Sequence, residues 1–249
     1  MPRTVVPAAP RSIVVVPRPI EAVVFDMDGV LVDSEPMWRE VEKEVFGELG
    51  VALTDDDLVQ TMGVRIGEVV ARWYARRPWT GPSPDDVERT IVEAVAERIE
   101  AHGRPEDGAA AAIDVVDRLG LRLALASSSP MRLIEAVLSL GDLAGRFEVV
   151  VSAEEEERGK PDPAVYLSAA RALGVVPERC LAIEDSVAGV GAAKAAGMVC
   201  VVVPDPLVPR ERFAHADVIL RSMREFDDRI WDATGTEPVG AEQPAGGSR

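Results

Sequence analysis

Short apolar segments that recur between helical patterns restrict the fold of this 249-residue sequence more than any other feature. Each segment is rich in Val, Leu, Ile or Ala, a pattern typical of a buried strand. Strands that alternate with helices predict a parallel sheet with helices on both faces, so we expect a doubly wound α/β core. The six predicted strands are Ala22–Asp26, Arg122–Ser127, Val149–Ser152, Cys180–Asp185, Val199–Val203 and Asp217–Leu220.

The connection between the first two predicted strands is too long for a simple crossover. It covers about 80 residues, from Ser34 to Asp114, and its patterns are helical throughout. Because a crossover needs only a dozen or so residues, the excess predicts an inserted all-helical cap domain at 35–105. The core domain is then expected at 19–34 and 106–232.

Both ends of the chain are predicted to be disordered tails. Residues 1–18 are rich in proline, and 233–249 contain almost no large apolar side chains. Neither segment offers enough apolar surface to join a core. Within the first tail, Ile13–Val16 could add an edge strand.

The charge and composition exclude several classes of partner. The formal net charge of −16 disfavours nucleic acids and anionic membranes. No apolar segment reaches the roughly 20 residues of a membrane span. Cys180 and Cys200 both lie in apolar segments, which favours buried thiols over a disulfide. We expect a cytoplasmic monomer whose partner is a small molecule, and an anionic substrate would need a local cation.

Polar side chains stand where four of the predicted strands end. The carboxyl ends of parallel strands share one edge of a sheet, and ligands bind beyond that edge. Carboxylate oxygens suit Mg²⁺, whereas a hydroxyl and an ammonium suit phosphoryl oxygens. The strand ends therefore predict a site for Mg²⁺ and phosphate. The side chains in question are Asp26 and Asp28, Ser127, Lys160, and Glu184 with Asp185.

These segments resemble the four motifs of the haloacid dehalogenase superfamily. The quoted residues are "DMDGV" after the first strand, Ser127 after the second, Lys160 in "KPDP" and the acidic pair in "IEDSVAG". The helical insertion resembles the cap of the β-phosphoglucomutase-like branch. Within it, "DSEPMW" and "RWYARRPWTGPS" are similar to bacterial hexose-phosphate phosphatases of the 2-deoxyglucose-6-phosphate type.

The resemblance implies chemical roles for the acids. Asp26 is expected to attack phosphorus and form an aspartyl-phosphate, and Asp28 to act first as an acid and then as a base. Mg²⁺ is expected on the Asp26 carboxylate, the Asp28 backbone carbonyl and Asp185, with Glu184 acting through water.

The resemblance also implies the groups that bind substrate. Ser127, the Ser128 backbone and Lys160 are expected to hold the phosphoryl group. In the cap, Trp38 and Arg65 are expected to contact the substrate, with the Trp38 indole near the sugar.

The implied function is a magnesium-dependent phosphatase of small, hexose-type sugar phosphates. One alternative is a β-phosphoglucomutase-like isomerase, although that enzyme has a cap histidine where this chain has Trp38. A second alternative is a phospho-acceptor module of the receiver type. A receiver needs no cap and is about half as long.

Overall fold

The computed structural model describes residues 18–239. Its main sheet has six parallel strands in the order β4-β3-β2-β5-β6-β7. All six predicted strand segments contribute to this sheet, which confirms the doubly wound α/β core. In chain order the strands are β1 (Arg18–Ile20), β2 (Ala22–Phe25), β3 (Arg122–Ser127), β4 (Val149–Ser152), β5 (Cys180–Glu184), β6 (Val199–Val202), β7 (Val218–Ile219) and β8 (Thr236–Pro238).

The α-helices of residues 18–239 fall into two groups, four in the insertion between β2 and β3 and five in the core. Helix α2 was not predicted, because five residues are too few for a helical period to show. A reciprocal capping box between Thr54 and Asp57 starts it. The helices are α1 (Glu35–Glu48), α2 (Asp55–Val59), α3 (Ile66–Arg76), α4 (Pro84–His102), α5 (Ala109–Arg118), α6 (Met131–Leu138), α7 (Ala164–Leu173), α8 (Val187–Ala195) and α9 (Arg229–Thr234).

Alternate residues of the central strand β2 belong to different halves of the core. Val23 and Phe25 pack in an apolar cluster that continues into the insertion. Ala22 and Val24 pack in a second cluster, which includes Tyr166 of α7. Successive side chains of a strand point to opposite faces, so β2 is buried on both sides. Its carboxyl end is thereby held rigidly at the sheet edge.

The four inserted helices form a cap over the sheet. Helix α4 contacts α1 and α3 within the cap and α6 of the core. Trp73 is 3% exposed and Phe46 meets Trp79 edge to face, with ring centroids 5.9 Å apart. Trp73 therefore fills the cap interior. The domain boundaries at residues 35 and 105 stay a prediction.

Both expected tails are ordered in part. Arg18, the last residue of the predicted tail 1–18, belongs to β1. Strand β8 pairs in parallel with β1, and Thr236 lies opposite Arg18. The prediction of a disordered tail from residue 233 is therefore wrong for 233–239, because backbone pairing orders a segment that has little apolar surface. Residues 1–17 and 240–249, including the suggested strand at Ile13–Val16, lie outside the described residues.

Two further sequence expectations concern the cysteines and membranes. Cys180 and Cys200 are buried free thiols, as predicted. Among the helices of residues 18–239, none combines the length and the apolar character that a membrane crossing requires.

Candidate active site

The parallel register of the central strands brings the predicted motifs to one edge. Phe25, the last residue of β2, lies opposite Leu125 of β3 and Ile183 of β5. The next residue, Asp26, donates its backbone N–H to the Ile183 carbonyl over 2.9 Å. Asp26 is therefore fixed beside the ends of both neighbouring strands.

Lys160 lies at the centre of this edge and is fully buried. Its ammonium donates to Asp26 Oδ1 and to Glu184 Oε1, each over 2.7 Å. It also donates to the Ala126 carbonyl over 3.2 Å. A buried ion pair is stable only when its hydrogen-bonding groups are satisfied, and Lys160 meets that condition with three oxygens.

The charges around Lys160 oppose the effect of its burial. Burial by itself lowers the pKa of a lysine, but the carboxylates of Asp26 and Glu184 outweigh it and raise the pKa of Lys160 above its ordinary value. Burial, followed by the Glu184 charge, raises the pKa of Asp26 to about 7. The ammonium therefore stays protonated, and Asp26 needs further positive charge to ionise fully.

Glu184 has no carboxylate oxygen left for another ligand. Its Oε1 accepts from Lys160 and, over 2.5 Å, from the Tyr166 hydroxyl. Its Oε2 accepts from the backbone N–H groups of Asp185 and Ser186 and from the Ser186 hydroxyl. Although the three acids Asp26, Glu184 and Asp185 have oxygens within 4.8 Å of one another, Glu184 is placed to orient Lys160 rather than to bind a cation.

Asp185 has the property that a metal ligand needs. Its Oδ2 is buried and receives no hydrogen bond from the described residues. Burial, followed by the charges of Glu35 and Glu184, raises its pKa well above the usual range. Gly29, with a φ of 69°, allows the backbone close to this oxygen, because a Cβ at Gly29 would overlap it. Asp26 and Asp185 thus form an oxygen-lined space that fits Mg²⁺.

Asp28 is held by three donors from different parts of the chain. The hydroxyl of Ser34 donates to Oδ1 over 2.5 Å, and that of Ser129 donates to Oδ2 over 2.7 Å. The Trp38 indole N–H donates to Oδ1 over 3.0 Å. Trp38 was expected beside the sugar; it lines the cavity, but its polar atom orients Asp28.

The two predicted serines differ in their surroundings. Ser127 is 1% exposed, and its hydroxyl oxygen accepts the Ser129 backbone N–H over 3.0 Å, which shapes the turn after β3. Ser128 lines the cavity, and its hydroxyl donates to the Gly63 carbonyl of the cap over 2.8 Å. Their roles in phosphate binding stay predictions.

Arg65 does not line the cavity over Asp26. Its guanidinium instead donates to the carbonyls of Ala153 and Glu156 over 3.1 and 2.8 Å, and to the Glu68 carboxylate. Arg65 therefore ties the start of α3 to the loop after β4. This geometry gives no support to a substrate contact for Arg65.

Sequence reasoning missed several residues of the site. Helix α1 brings three further polar side chains to the cavity, and these share one helical face with Trp38 at intervals of three or four residues. That spacing was visible in the sequence, but the face lacked a partner until the cap was placed over the sheet. The missed residues are Glu35, Arg39, Glu42, Ser129 and Tyr166.

Comparison with known families agrees with this geometry. A model described as haloacid dehalogenase-like hydrolase matches residues 20–197. The chain belongs to this hydrolase family. The match includes β2, β3 and β5, the cap, and the strand ends that carry Asp26, Lys160 and Asp185.

Individual members of the family cover most of the chain. Hexitol phosphatase B of Escherichia coli K12 is 43% identical over 212 residues, 84% of this chain and 96% of its own. The phosphorylated carbohydrates phosphatase of Thermotoga maritima is 35% identical over 179 residues, 72% and 82% of the two chains. A CbbY variant from Rhodobacter sphaeroides, solved with xylulose 1,5-bisphosphate, superposes with a TM-score of 0.74 at 31% identity, covering 83% and 96%.

Gly189 has no side chain, and this leaves room for the Glu184 carboxylate in the hydrogen-bonded cluster around Lys160. A Cβ at this position would overlap the Glu184 carboxylate. Gly189→Ala should therefore displace Glu184 and lower the free energy of unfolding by about 1–3 kcal/mol, measured by urea denaturation. The control is Gly47→Ala in α1, where a Cβ meets no atom within 4 Å. Gly47→Ala should raise the free energy of unfolding by about 0.5–1 kcal/mol. Equal stability of wild type and Gly189→Ala would contradict the packing argument.

Proposed function

We propose that this protein is a magnesium-dependent phosphatase of small sugar and polyol monophosphates that acts through an aspartyl-phosphate. One observation carries the proposal. Asp26 lies in a cavity, 4% exposed, with a protonated lysine on one carboxylate oxygen and a second aspartate two residues along the chain. A nucleophile and an acid–base group beside a phosphate site are the parts that two-step phosphoryl transfer requires.

In the first step Asp26 attacks phosphorus and the P–O bond to the sugar breaks. Asp28 gives its proton to the leaving sugar oxygen, and the phosphoryl group remains on Asp26. In the second step Asp28 takes a proton from water, the water oxygen attacks phosphorus, and the P–O bond to Asp26 breaks. Inorganic phosphate leaves, and both aspartates return to their initial state.

Positive charge must be in place before either step. Lys160 neutralises Asp26 and the incoming phosphate together, because its ammonium is already held by Glu184 and cannot turn away. Mg²⁺ would be held by the carboxylates of Asp26 and Asp185 and the backbone carbonyl of Asp28. When bound, it screens the repulsion between carboxylate and phosphate and stabilises charge in the transition state.

Two observations support the substrate class, namely the names of the relatives and the position of Trp38 in the cap. Two relatives that match most of this chain carry the names hexitol phosphatase and phosphorylated carbohydrates phosphatase. Trp38 stands next to Asp28. An indole N–H does not accept a proton, so it suits hydrolysis better than phosphoryl return to a sugar hydroxyl.

The wild-type protein should release inorganic phosphate from sorbitol 6-phosphate and glucose 6-phosphate in the presence of Mg²⁺. Asp26→Asn should abolish release while the circular dichroism spectrum stays native, because the change removes the nucleophile without altering its volume. Asp56→Asn, at an exposed position of the cap, is the matched control and should keep wild-type turnover. A colorimetric phosphate assay measures all three proteins.

Two results would defeat the proposal. One is substantial phosphate release by purified Asp26→Asn. The other is wild-type protein that converts glucose 1-phosphate to glucose 6-phosphate faster than it releases phosphate, which would favour the isomerase.

The Trp38 indole N–H should matter when the leaving group needs a proton. Trp38→Phe keeps an aromatic ring and removes one of the three donors to Asp28. We expect kcat for sorbitol 6-phosphate to fall about tenfold, and kcat for p-nitrophenyl phosphate to fall less. The fall is smaller than the roughly 10²–10⁴-fold that a whole acid–base group supplies, because Asp28 itself remains. Nitrophenolate leaves without protonation. Equal losses for both substrates would show that Trp38 does not act through the leaving-group acid.

Metal binding should weaken in acid. Asp26 has a pKa of about 7 in the metal-free protein, so below that pH a proton must leave before a cation can bind. Lowering the pH from 8 to 6 should raise the Kd for Mg²⁺ about tenfold for this one proton, measured by isothermal titration calorimetry. Asp26→Asn should bind Mg²⁺ more weakly, and its Kd should lack the tenfold rise between pH 8 and pH 6. A pH-independent Kd in the wild type would contradict the assignment.

A further inference from the structure

The cavity over Asp26 has a second end, inside the cap, that phosphoryl transfer does not use. Helix α1 contributes four polar side chains to it. Trp38 acts on Asp28, but Glu42, one helical turn further from the sheet edge, has no part in the proposed steps. The four residues are Glu35, Trp38, Arg39 and Glu42.

Glu42 is a buried carboxyl group without a hydrogen-bond partner in the part of the chain that the structure describes. The residue is 9% exposed, and its Oε2 receives no hydrogen bond within residues 18–239. Burial raises the pKa of Glu42 to about 8. A buried polar group left unpaired is costly. Such a group that lines a ligand cavity is well placed to bind a ligand.

The surroundings of Glu42 limit what that ligand can be. Arg39 is the one cationic side chain among the described residues that line the cavity. Its guanidinium is already paired with Asp205 over 3.1 Å and with Glu35 over 3.6 Å. No lining cation is therefore left to receive a second anionic group. The lining of the same cavity also includes the buried apolar side chains of Leu58, Ile66 and Val69 and the hydroxyl residue Thr61.

We propose that Glu42 binds a hydroxyl group of the substrate's uncharged tail, and that the cap end of the cavity selects sugar or polyol monophosphates over bisphosphates. This inference rests on the proposed phosphatase function. A hydroxyl can donate to one carboxyl oxygen and accept from a protonated one. A second phosphate would instead meet Glu35 and Glu42, with no free cation among the described residues of the lining.

The test compares three substrates, namely sorbitol 6-phosphate, fructose 1,6-bisphosphate and p-nitrophenyl phosphate. In the wild type, kcat/KM should be at least about tenfold higher for sorbitol 6-phosphate than for the bisphosphate. Glu42→Met has a similar volume and no charge. It should lower kcat/KM for sorbitol 6-phosphate about 10- to 100-fold, chiefly through KM, as expected when one hydrogen bond to a carboxylate is lost. The loss for p-nitrophenyl phosphate should be at least about tenfold smaller.

Two further variants make the comparison specific. Glu42→Gln keeps a donor and an acceptor and should recover most of the sorbitol 6-phosphate activity. Glu40→Met changes an exposed carboxylate of the same helix and should match the wild type on all three substrates. Thermal unfolding should show Glu42→Met to be at least as stable as the wild type, because it removes an unpaired buried carboxyl.

Each other outcome overturns the inference. Equal losses on sorbitol 6-phosphate and p-nitrophenyl phosphate would give Glu42 a purely structural role. Unchanged kinetics in Glu42→Met would remove it from recognition. A wild-type preference for fructose 1,6-bisphosphate would defeat the selection against a second charge. If the wild type releases phosphate from none of the three substrates, the proposed function fails first and this inference fails with it.

Discussion

The buried ammonium of Lys160 is the interaction on which the rest of this site depends. It joins Asp26, the candidate nucleophile, to Glu184 at the end of β5, and water has no access to it. Removing one member of such a group leaves a buried charge unpaired, which costs about 3–5 kcal/mol. Lys160 stays paired only if the Glu184 carboxylate stays in place. Close packing against Gly189 and a hydrogen bond from the Tyr166 hydroxyl both hold that carboxylate.

One lysine cannot neutralise all the acids at this edge. Asp185 keeps a buried oxygen that receives no hydrogen bond from residues 18–239, and burial raises the pKa of Asp26 and of Asp185. Both observations have the same physical cause, a deficit of positive charge in a site of low polarity. A divalent cation would remove that deficit. The net charge of −16 attracts cations to the protein. Because the same charge repels an anionic substrate, local groups must recognise that substrate.

The cap does not only cover the sheet. Hydrogen bonds also connect it to the residues of the candidate active site. The indole N–H of Trp38 in α1 donates to Asp28, and the Gly63 carbonyl of the cap accepts from the Ser128 hydroxyl. Arg39 pairs with Asp205 of the core. The cap therefore helps to orient Asp28, the candidate acid–base group, and to limit the space beside it. On the proposed function, a change in the cap can alter both the rate and the choice of substrate, although the candidate nucleophile and its lysine belong to the core.

The sequence alone determined the sheet, the inserted cap and the convergence of Asp26, Lys160 and Asp185. Parallel strands bring their carboxyl ends to one edge, so the order of the motifs was sufficient. Only the tertiary structure decided that the Trp38 indole donates to Asp28, that Arg65 binds the loop after β4, and that Glu42 has no hydrogen-bond partner among the described residues. These contacts join segments far apart in the chain. The position of the cap over the sheet selects them, and no local pattern of residues encodes that position.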